Sequence, residues 1–421
     1  MSKQVIIAAA RQWWLWRNRR AFCEPRSEQL PRLLVDLSTI SRFDAATGIQ
    51  RVVRAVWAEL TQRNGQGFLL YPVIATQKHG YCHASLRTFS GCKLPPVGRP
   101  VAAQPGDIFL GLDLAAQILP HYRNQLKAWR RCGTRIHVVV YDLLPLRHPE
   151  WFSRAGVRNF RRWFASVADL ADGAICISPN TAQDLAARLK ERGADHQAIV
   201  GTIQLGGDIE NSLPSGGTDP VVGKLVEQMR SRSTLLMVGT MEPRKGYDAA
   251  LAAFEHLWGA AGEQAPDLVI IGKPGWKTGN LQRQVRAHPQ HGQRLHWLTH
   301  VSDEELALLY DASCGLLMAS RGEGMGLPLI EAAMNGCAIL ARDLPVFREQ
   351  KLPRVRFFRD DSPKALADDI RRLVRDPPAS NSQNSKLPTW SAAVDQLLAN
   401  LGLPVKRSDE RREAIPRAPT P

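Results

Sequence analysis

A chain of 421 residues, 44% hydrophobic and 23% charged, has room for two domains with complete cores and the composition of an ordinary globular protein. Lysine and arginine outnumber aspartate and glutamate by 55 to 40, a formal charge of +15 that suits a polyanionic ligand or an anionic surface. No zinc-finger spacing, RNA-binding signature or arginine run with interleaved aromatics accompanies that charge, so nucleic acid is not an expected partner.

No apolar stretch reaches the roughly 18 residues that a membrane-spanning helix needs. The first 30 residues form a basic, Trp-rich segment: Trp13, Trp14 and Trp16 precede Arg17, Arg19 and Arg20. Arg11 interrupts its apolar part and no small-residue cleavage site follows, which argues against a signal peptide. Indoles at headgroup depth with arginines beside them fit an interfacial helix, and a docked or disordered tail fits equally. Seven cysteines, at 23, 82, 92, 132, 176, 314 and 337, include no Cys-x-x-Cys pair. Those in apolar runs, Cys176, Cys314 and Cys337, read as reduced core residues. His79, Cys82, His83 and Cys92 read as a surface hairpin rather than a zinc site.

In chain order, Leu33, Leu34 and Val35 mark a first buried strand, followed by a loop over 41–50. Val52, Val53, Val56 and Leu60 then give a helix over 49–62. Strand, Gly-containing loop and helix open a doubly wound sheet, where ligands meet the strands' C-terminal ends. Strands are predicted at 68–72, 107–110 and 135–141. The last leads into Asp142, which fits a strand-end cap, and into Arg147 and His148, groups able to face an anionic acceptor. A helix over 154–170 carries Arg154, Arg158, Arg161 and Arg162, a solvated face that would also suit a bilayer. A strand at 173–178, a helix capped by Asn180 or Thr181 and a strand at 198–205 complete the first domain. The Ser-, Gly- and Pro-rich stretch from 211 opens a linker.

The second domain starts with a strand at 233–240 and the turn Met241-Glu-Pro-Arg-Lys-Gly246. There Arg244 offers a fork and Lys245 a point charge for a diphosphate. The turn lacks the spacing of a Walker loop. Strands at 267–272 and from 294 follow, then a capping box of Ser302 and Glu305. The apolar run 314–319 is a buried strand that opens into Ser320-Arg-Gly-Glu-Gly-Met-Gly-Leu-Pro-Leu-Ile-Glu331. Pro328 fits the first turn of a helix and Gly336 its exit. Unpaired N–H groups at such a helix start favour anions. Glu331 follows Glu323 by eight positions, which returns it to within about 80° of the same face. Strand and helix alternate throughout, the pattern of a parallel sheet covered on both faces.

The Glu-x7-Glu spacing in Arg-Gly-Glu-Gly-Met-Gly-Leu-Pro-Leu-Ile-Glu-Ala resembles the retaining glycosyltransferases of family four. So does Gly-Thr-x-Glu-Pro-Arg-Lys-Gly, which is similar to their phosphate-binding turn. The resemblance spans roughly residues 31–401 and is densest over 233–349. It implies an α/β GT-B fold, two Rossmann-like doubly wound domains facing a central cleft. It implies a first domain at 31–210 on the acceptor side, a linker at 211–232 and a nucleotide-sugar domain at 233–376. A connector and a helix crossing back to the first domain fall at 377–403, before a charged, apolar-poor tail at 404–421 that composition reads as disordered.

The implied reaction moves a sugar from a nucleotide diphosphate to a hydroxyl with retained configuration. Carried over from the family's motifs, Glu323 holds sugar hydroxyls, Glu331 the ribose, and Arg244 and Lys245 the leaving diphosphate. Asp142 matches the family segment facing the donor sugar, where Tyr141 replaces a common histidine. Gly48 belongs to a first-loop piece, Thr47 to Arg51, that lies by the diphosphate in one bacterial branch. Val301, on the turn bordering the base, and Gly324, Met325, Gly326 and Leu327 complete the expected donor site. No cofactor or metal is expected. The branch resembles bacterial polysaccharide mannosyl- and rhamnosyltransferases, so GDP-mannose and a lipid-linked saccharide acceptor in surface polysaccharide synthesis are the expected substrates. A TDP- or UDP-sugar donor, or a non-catalytic nucleotide-sugar scaffold, are the alternatives. The expected location is the cytoplasm, with a peripheral place on the inner face of the membrane left open.

Overall fold

The computed structural model describes residues 30–42, 47–84, 98–193, 198–208, 217–261, 265–379 and 387–405. The Trp-rich start, the tail beyond 405 and parts of the 41–50 and 211–219 loops fall outside that set.

The first sheet contains β1 (Arg32–Asp36), β2 (Leu69–Thr76), β3 (Gly80–His83), β4 (Ile108–Gly111), β5 (Arg135–Val140), β6 (Gly173–Cys176) and β7 (Ile199–Thr202). Their spatial order is β3-β2-β1-β4-β5-β6-β7, with every pairing parallel except β2 with β3. The β2–β3 hairpin matches the turn-rich reading of this region. Its strand β3 is not a surface feature, however, because Tyr81 and Cys82 are fully buried. The second sheet contains β8 (Thr234–Val238), β9 (Asp267–Ile271), β10 (Leu295–Leu298), β11 (Gly315–Met318), β12 (Ala338–Arg342) and β13 (Val355–Phe358). It is parallel throughout, in the order β10-β9-β8-β11-β12-β13. Strand β13 was not anticipated, since Val355-Arg-Phe-Phe mixes a charge into a four-residue edge strand and carries little pattern.

Each sheet reverses its strand order once, between β1 and β4 and between β8 and β11. Crevices open at such switch points beyond the strands' carboxyl ends. The central strands are apolar through their middles, with polar residues such as Arg32, Asp36 and Asp267 at their ends, because helices cover both faces. At the first switch point, buried carboxylates serve the backbone. Asp36 accepts from Ser38 N (2.9 Å) and Tyr81 OH (2.9 Å), and Asp113 accepts from Ile40 N (2.7 Å). These bonds satisfy two loop N–H groups and the β3 tyrosine hydroxyl, donors that burial removes from water.

Several expectations are corrected. Ser178, rather than Asn180 or Thr181, caps helix Pro179–Arg192, its Oγ accepting from Thr181 N at 3.1 Å. Residues 220–231 of the expected linker form a helix that buries Val222, Leu225, Val226 and Met229 in the second domain's core. Asp219 caps it and Pro220 sits in its first turn, so the linker's Pro was a helix start rather than a break. Cys176, Cys314 and Cys337 are free thiols, as is Cys82, whereas Cys132 is disulfide-bonded, a pairing the sequence reading did not include.

Helix Trp390–Asn400, late in the chain, packs on the first domain. Trp390, Val394, Leu397 and Leu398 share one cluster with Val53, Trp57 and Leu60 of helix Gly48–Gln62. Arg63 reinforces the contact through Asp395 (3.2 Å) and the Ser391 carbonyl (3.0 Å). Met325 and Ile330 of the second domain enter the same cluster, so one apolar core straddles both domains. Removing the Trp390 side chain, 1% exposed, should cost about 3–5 kcal/mol. The check is a lowered urea midpoint for Trp390→Ala with an unchanged second-domain strand signal in hydrogen exchange.

Candidate active site

Two loops at the second sheet's switch point carry opposite charges toward each other. After β8, Pro243–Lys245 forms a single 3-10 turn that presents Arg244 and Lys245. Gly246 ends it at φ +71°, where an added Cβ would lie 2.2 Å from the Ala319 carbonyl. Only glycine allows that approach. After β11, the chain runs through Ser320 to Glu323 and then enters helix Leu327–Met334, with Gly326 at φ +89° before it and Pro328 in its first turn.

Glu323 receives both cations. Its Oε2 accepts from Arg244 Nη1 at 2.6 Å, and its Oε1 from Lys245 Nζ at 2.6 Å and Ser320 Oγ at 2.8 Å. Arg244 also donates Nε to Glu242 (2.9 Å) and Nη1 to the Gly322 carbonyl (2.9 Å). Burial works to raise the Glu323 pKa, but Arg244 and Lys245 outweigh it and hold the carboxyl down to about 2. Asp142, beyond the end of β5 in the first domain, completes the cluster. Burial raises its pKa despite the nearby Arg244 guanidinium.

A second charged centre spans the cleft. Arg51, in the first turns of helix Gly48–Gln62, donates to Glu331 Oε1 (2.5 Å) and to Asp303 Oδ1 (2.6 Å). Tyr310 OH donates to the other Glu331 oxygen at 3.0 Å. Glu331 is 2% exposed, so its carboxylate is fully engaged by protein groups. The Arg51–Asp303 pair lies beside the turn at Val301, which is half-buried against the second core.

The loop between the two centres presses on the first domain. An added Cβ on Gly324 would meet the Tyr141 carbonyl at 2.0 Å, and Thr181 Oγ1 donates to the Gly324 carbonyl at 3.3 Å. Met325 sends its side chain, 3% exposed, into the shared core, which leaves its backbone N–H as the group expected to meet the donor. An unbranched apolar side chain fills that seam. Gly48 approaches Leu327, 4.0 Å from its added Cβ to Leu327 Cδ1. Tyr141 faces inward: its hydroxyl donates to the Leu112 carbonyl at 2.7 Å, and the ring lies in the first domain's core. Arg147 pairs with Asp184 at 2.6 Å and His148 stacks on Trp151 at 4.0 Å. Neither reaches the charged centres by a direct bond. The structure thus gathers Glu323, Arg244, Lys245 and Asp142 at one point and Gly48, Leu327, Val301 and Glu331 along one seam.

Glu242, Ser320, Arg51, Asp303 and Tyr310 escaped sequence reasoning as site residues. Arg51 had a signal, because it closes the first-loop piece Thr47 to Arg51. Asp303 and Tyr310 had none, since only tertiary contact brings them to Glu331.

Residues 228–387 match the family model of the group 1 glycosyl transferases. Serotype-specific mannosyltransferase WbdA of Escherichia coli is 36% identical over 380 residues, covering 88% of this chain and 45% of WbdA. The chain therefore spans about half the length of that relative. O-antigen chain mannosyltransferase B of Escherichia coli is 32% identical over 125 residues, 30% of this chain and 32% of its own length. Among solved structures, Anabaena HepE in complex with UDP-glucose aligns with a TM-score of 0.55 at 15% identity, covering 88% of this chain and 94% of HepE. Sucrose-phosphate synthase of Thermosynechococcus elongatus aligns at 0.55 and 17% identity, covering 89% and 95%. These structures share the fold, two Rossmann-like domains in the GT-B arrangement.

Glu323 has a folded-state pKa depressed below its ordinary 4.5, so its ionised form adds stability above about pH 4.5 that disappears as pH falls through 2. Glu323→Gln should cost on the order of 3 kcal/mol at neutral pH, with the gap from wild type narrowing on acidification in thermal melts. Gly324→Ala should cost about 1–3 kcal/mol and enlarge the radius of gyration in small-angle scattering, because backbone faces backbone at that contact.

Proposed function

For a chain that belongs to the group 1 glycosyl transferases, we propose transfer of mannose from GDP-mannose to a saccharide acceptor, with anomeric configuration retained. The convergence of Arg244 and Lys245 on Glu323, at the carboxyl ends of the strands flanking the switch point, carries this reading. Cleaving a nucleotide sugar builds negative charge on the departing diphosphate, and preoriented cations in a water-poor cleft lower the barrier. A diphosphate competes with Glu323 for both cations. As it takes them, the carboxylate is released to accept from hydroxyls of the transferred sugar. The same exchange operates at Glu331, whose engagement by Arg51 yields to ribose hydroxyls.

Asp142 adds to this scheme. With its pKa raised by burial, it repels an incoming diphosphate less than an ordinary carboxylate would. Backbone N–H groups at Gly324, Met325 and Gly326 precede the helix start and favour the phosphates. Since the chain supplies two cations of its own, the reaction is proposed to need no metal, and turnover is expected to survive excess EDTA.

Mannose is favoured by the likeness to WbdA and to O-antigen chain mannosyltransferase B, and the same likeness favours a role in surface polysaccharide synthesis. The acceptor is proposed to be lipid-linked. Among the described residues no helix is long and apolar enough to cross a membrane. Approach to the lipid is assigned to the exposed arginines 154, 158, 161 and 162 and to the Trp-rich first residues, as a peripheral association on the cytoplasmic face.

Thermal shifts with GDP, UDP, TDP and their sugars test the donor. Selective stabilisation by GDP is expected, absent in Arg244→Ala and Glu331→Ala, and UDP selectivity would overturn the assignment. In turnover assays Arg244→Ala should lower kcat/KM by about 10²–10³-fold.

A further inference from the structure

The cleft mouth carries an aromatic feature that the donor chemistry does not use. Five large apolar side chains are exposed among the described residues, Ile199, Val221, Trp276, Leu308 and Val405, and Trp276 is the one aromatic. An indole left 41% exposed is ordinarily free to rotate, yet this one is tethered. Its Nε1 donates to the Trp151 carbonyl across the cleft at 2.8 Å, and Lys277 Nζ donates to the Glu150 carbonyl at 2.7 Å. Phe152 lies beside it, ring centroids 6.1 Å apart and tilted by 32°. Trp151 stacks on His148 at 4.0 Å and 15°.

The loop that holds Trp276 is built to stay in place. Met241 N donates to the Lys273 carbonyl at 2.9 Å, and Thr278 Oγ1 donates to the Met241 carbonyl at 2.8 Å. Met241 begins the turn that carries Arg244 and Lys245, so this aromatic ledge and the cations share one support. Lys277 adopts φ +57°, a left-handed conformation that a non-glycine residue holds at some cost. On its other side the ledge meets the acidic loop. An added Cβ on Gly322 would lie 2.7 Å from the Trp151 ring, one residue before Glu323. The ledge thus abuts the Gly322 end of that loop, while Glu331 and Arg51 mark the opposite end.

We propose that Trp276 and Phe152, backed by Trp151, form the platform on which a pyranose ring of the acceptor saccharide stacks. A pyranose presents one face of C–H groups with slight positive charge, which matches the negative face of an indole. Sugar sites also pair such apolar contact with nearby polar groups, and here the loop that carries Glu323 abuts the platform through Gly322. The inference rests on the glycosyl-transfer reading above. Because the platform is assembled from both domains, a saccharide is held only when the cleft is closed, which ties acceptor binding to the arrangement that buries the donor.

The test uses the full chain as wild type, Trp276→Ala, Phe152→Ala and Trp276→Phe, with mannotetraose as the probe. Steady-state kinetics should show a tenfold or greater rise in acceptor KM for the two alanine variants and a donor KM close to wild type. Trp276→Phe keeps a ring but loses the N–H tether, and it should retain most of the affinity. Saturation-transfer NMR should show mannotetraose ring protons receiving saturation from wild type and losing it in Trp276→Ala. An unchanged acceptor KM in Trp276→Ala would overturn the platform while leaving glycosyl transfer intact. So would a Trp276→Phe variant as impaired as Trp276→Ala, which would make the tether the active feature, or a loss confined to donor KM, which would make the indole a nucleotide contact. If wild type turns over no nucleotide sugar, glycosyl transfer fails and the NMR arm decides alone: saturation lost in Trp276→Ala supports the platform, and no signal with wild type overturns it.

Discussion

Everything at the cleft depends on one electrostatic constraint: the Glu323 carboxylate is buried and must be compensated. Two cations meet it at 2.6 Å each, and both come from the 3-10 turn after β8. The charge therefore ties together two loops that are far apart in sequence but adjacent at the switch point of the sheet. Compensation also decides protonation, since neutralising Glu323 would leave Arg244 and Lys245 facing each other in a poorly solvated place. A ligand that brings its own negative charge can take over that compensating role without disturbing the loops.

The seam between the domains follows a similar logic with different chemistry. Gly324 lies against the Tyr141 carbonyl, Met325 enters a core made largely by the first domain, and Arg51 reaches two carboxylates of the second. Backbone contact, apolar burial and a buried ion pair thus act within one short stretch of chain. Interfaces of this kind are bistable rather than continuously deformable, because close-packed side chains either interdigitate or part. Helix Trp390–Asn400 adds a second tie, since it returns the chain to the first domain and packs on helix Gly48–Gln62.

Glu331 shows how the seam bears on chemistry. Its two oxygens are taken by Arg51 and Tyr310, and Arg51 is held in turn by Asp303. A hydroxyl-bearing ligand therefore meets an occupied carboxylate and must exchange with a residue of the opposite domain. Under the proposed reading, donor capture and domain arrangement become one equilibrium, in which any gain from ribose contacts is offset by the Arg51 contacts given up.

Most of the scaffold was legible in the chain, because its determinants are local. Apolar runs at 33–35, 138–140, 235–238, 268–271 and 315–318 are central strands, and such strands must be apolar on both faces. The place of Arg244, Lys245 and Glu323 on strand-end loops was legible too, and the resemblance of both loops to the family's motifs is what singled these residues out. What the sequence could not disclose was partnership at long range. Edge strands β3 and β13 have too few residues to show a period, and Ser178 won the cap by geometry rather than residue type. The pairing of Arg51 with Glu331, 280 positions apart, the inward turn of Tyr141, the burial of Met325 and the meeting of Trp276 with Trp151 all required the two domains to close. Local pattern determines which elements form and which side chains lie at their ends; only packing decides which ends face one another, because desolvation and charge compensation act through space and not along the chain.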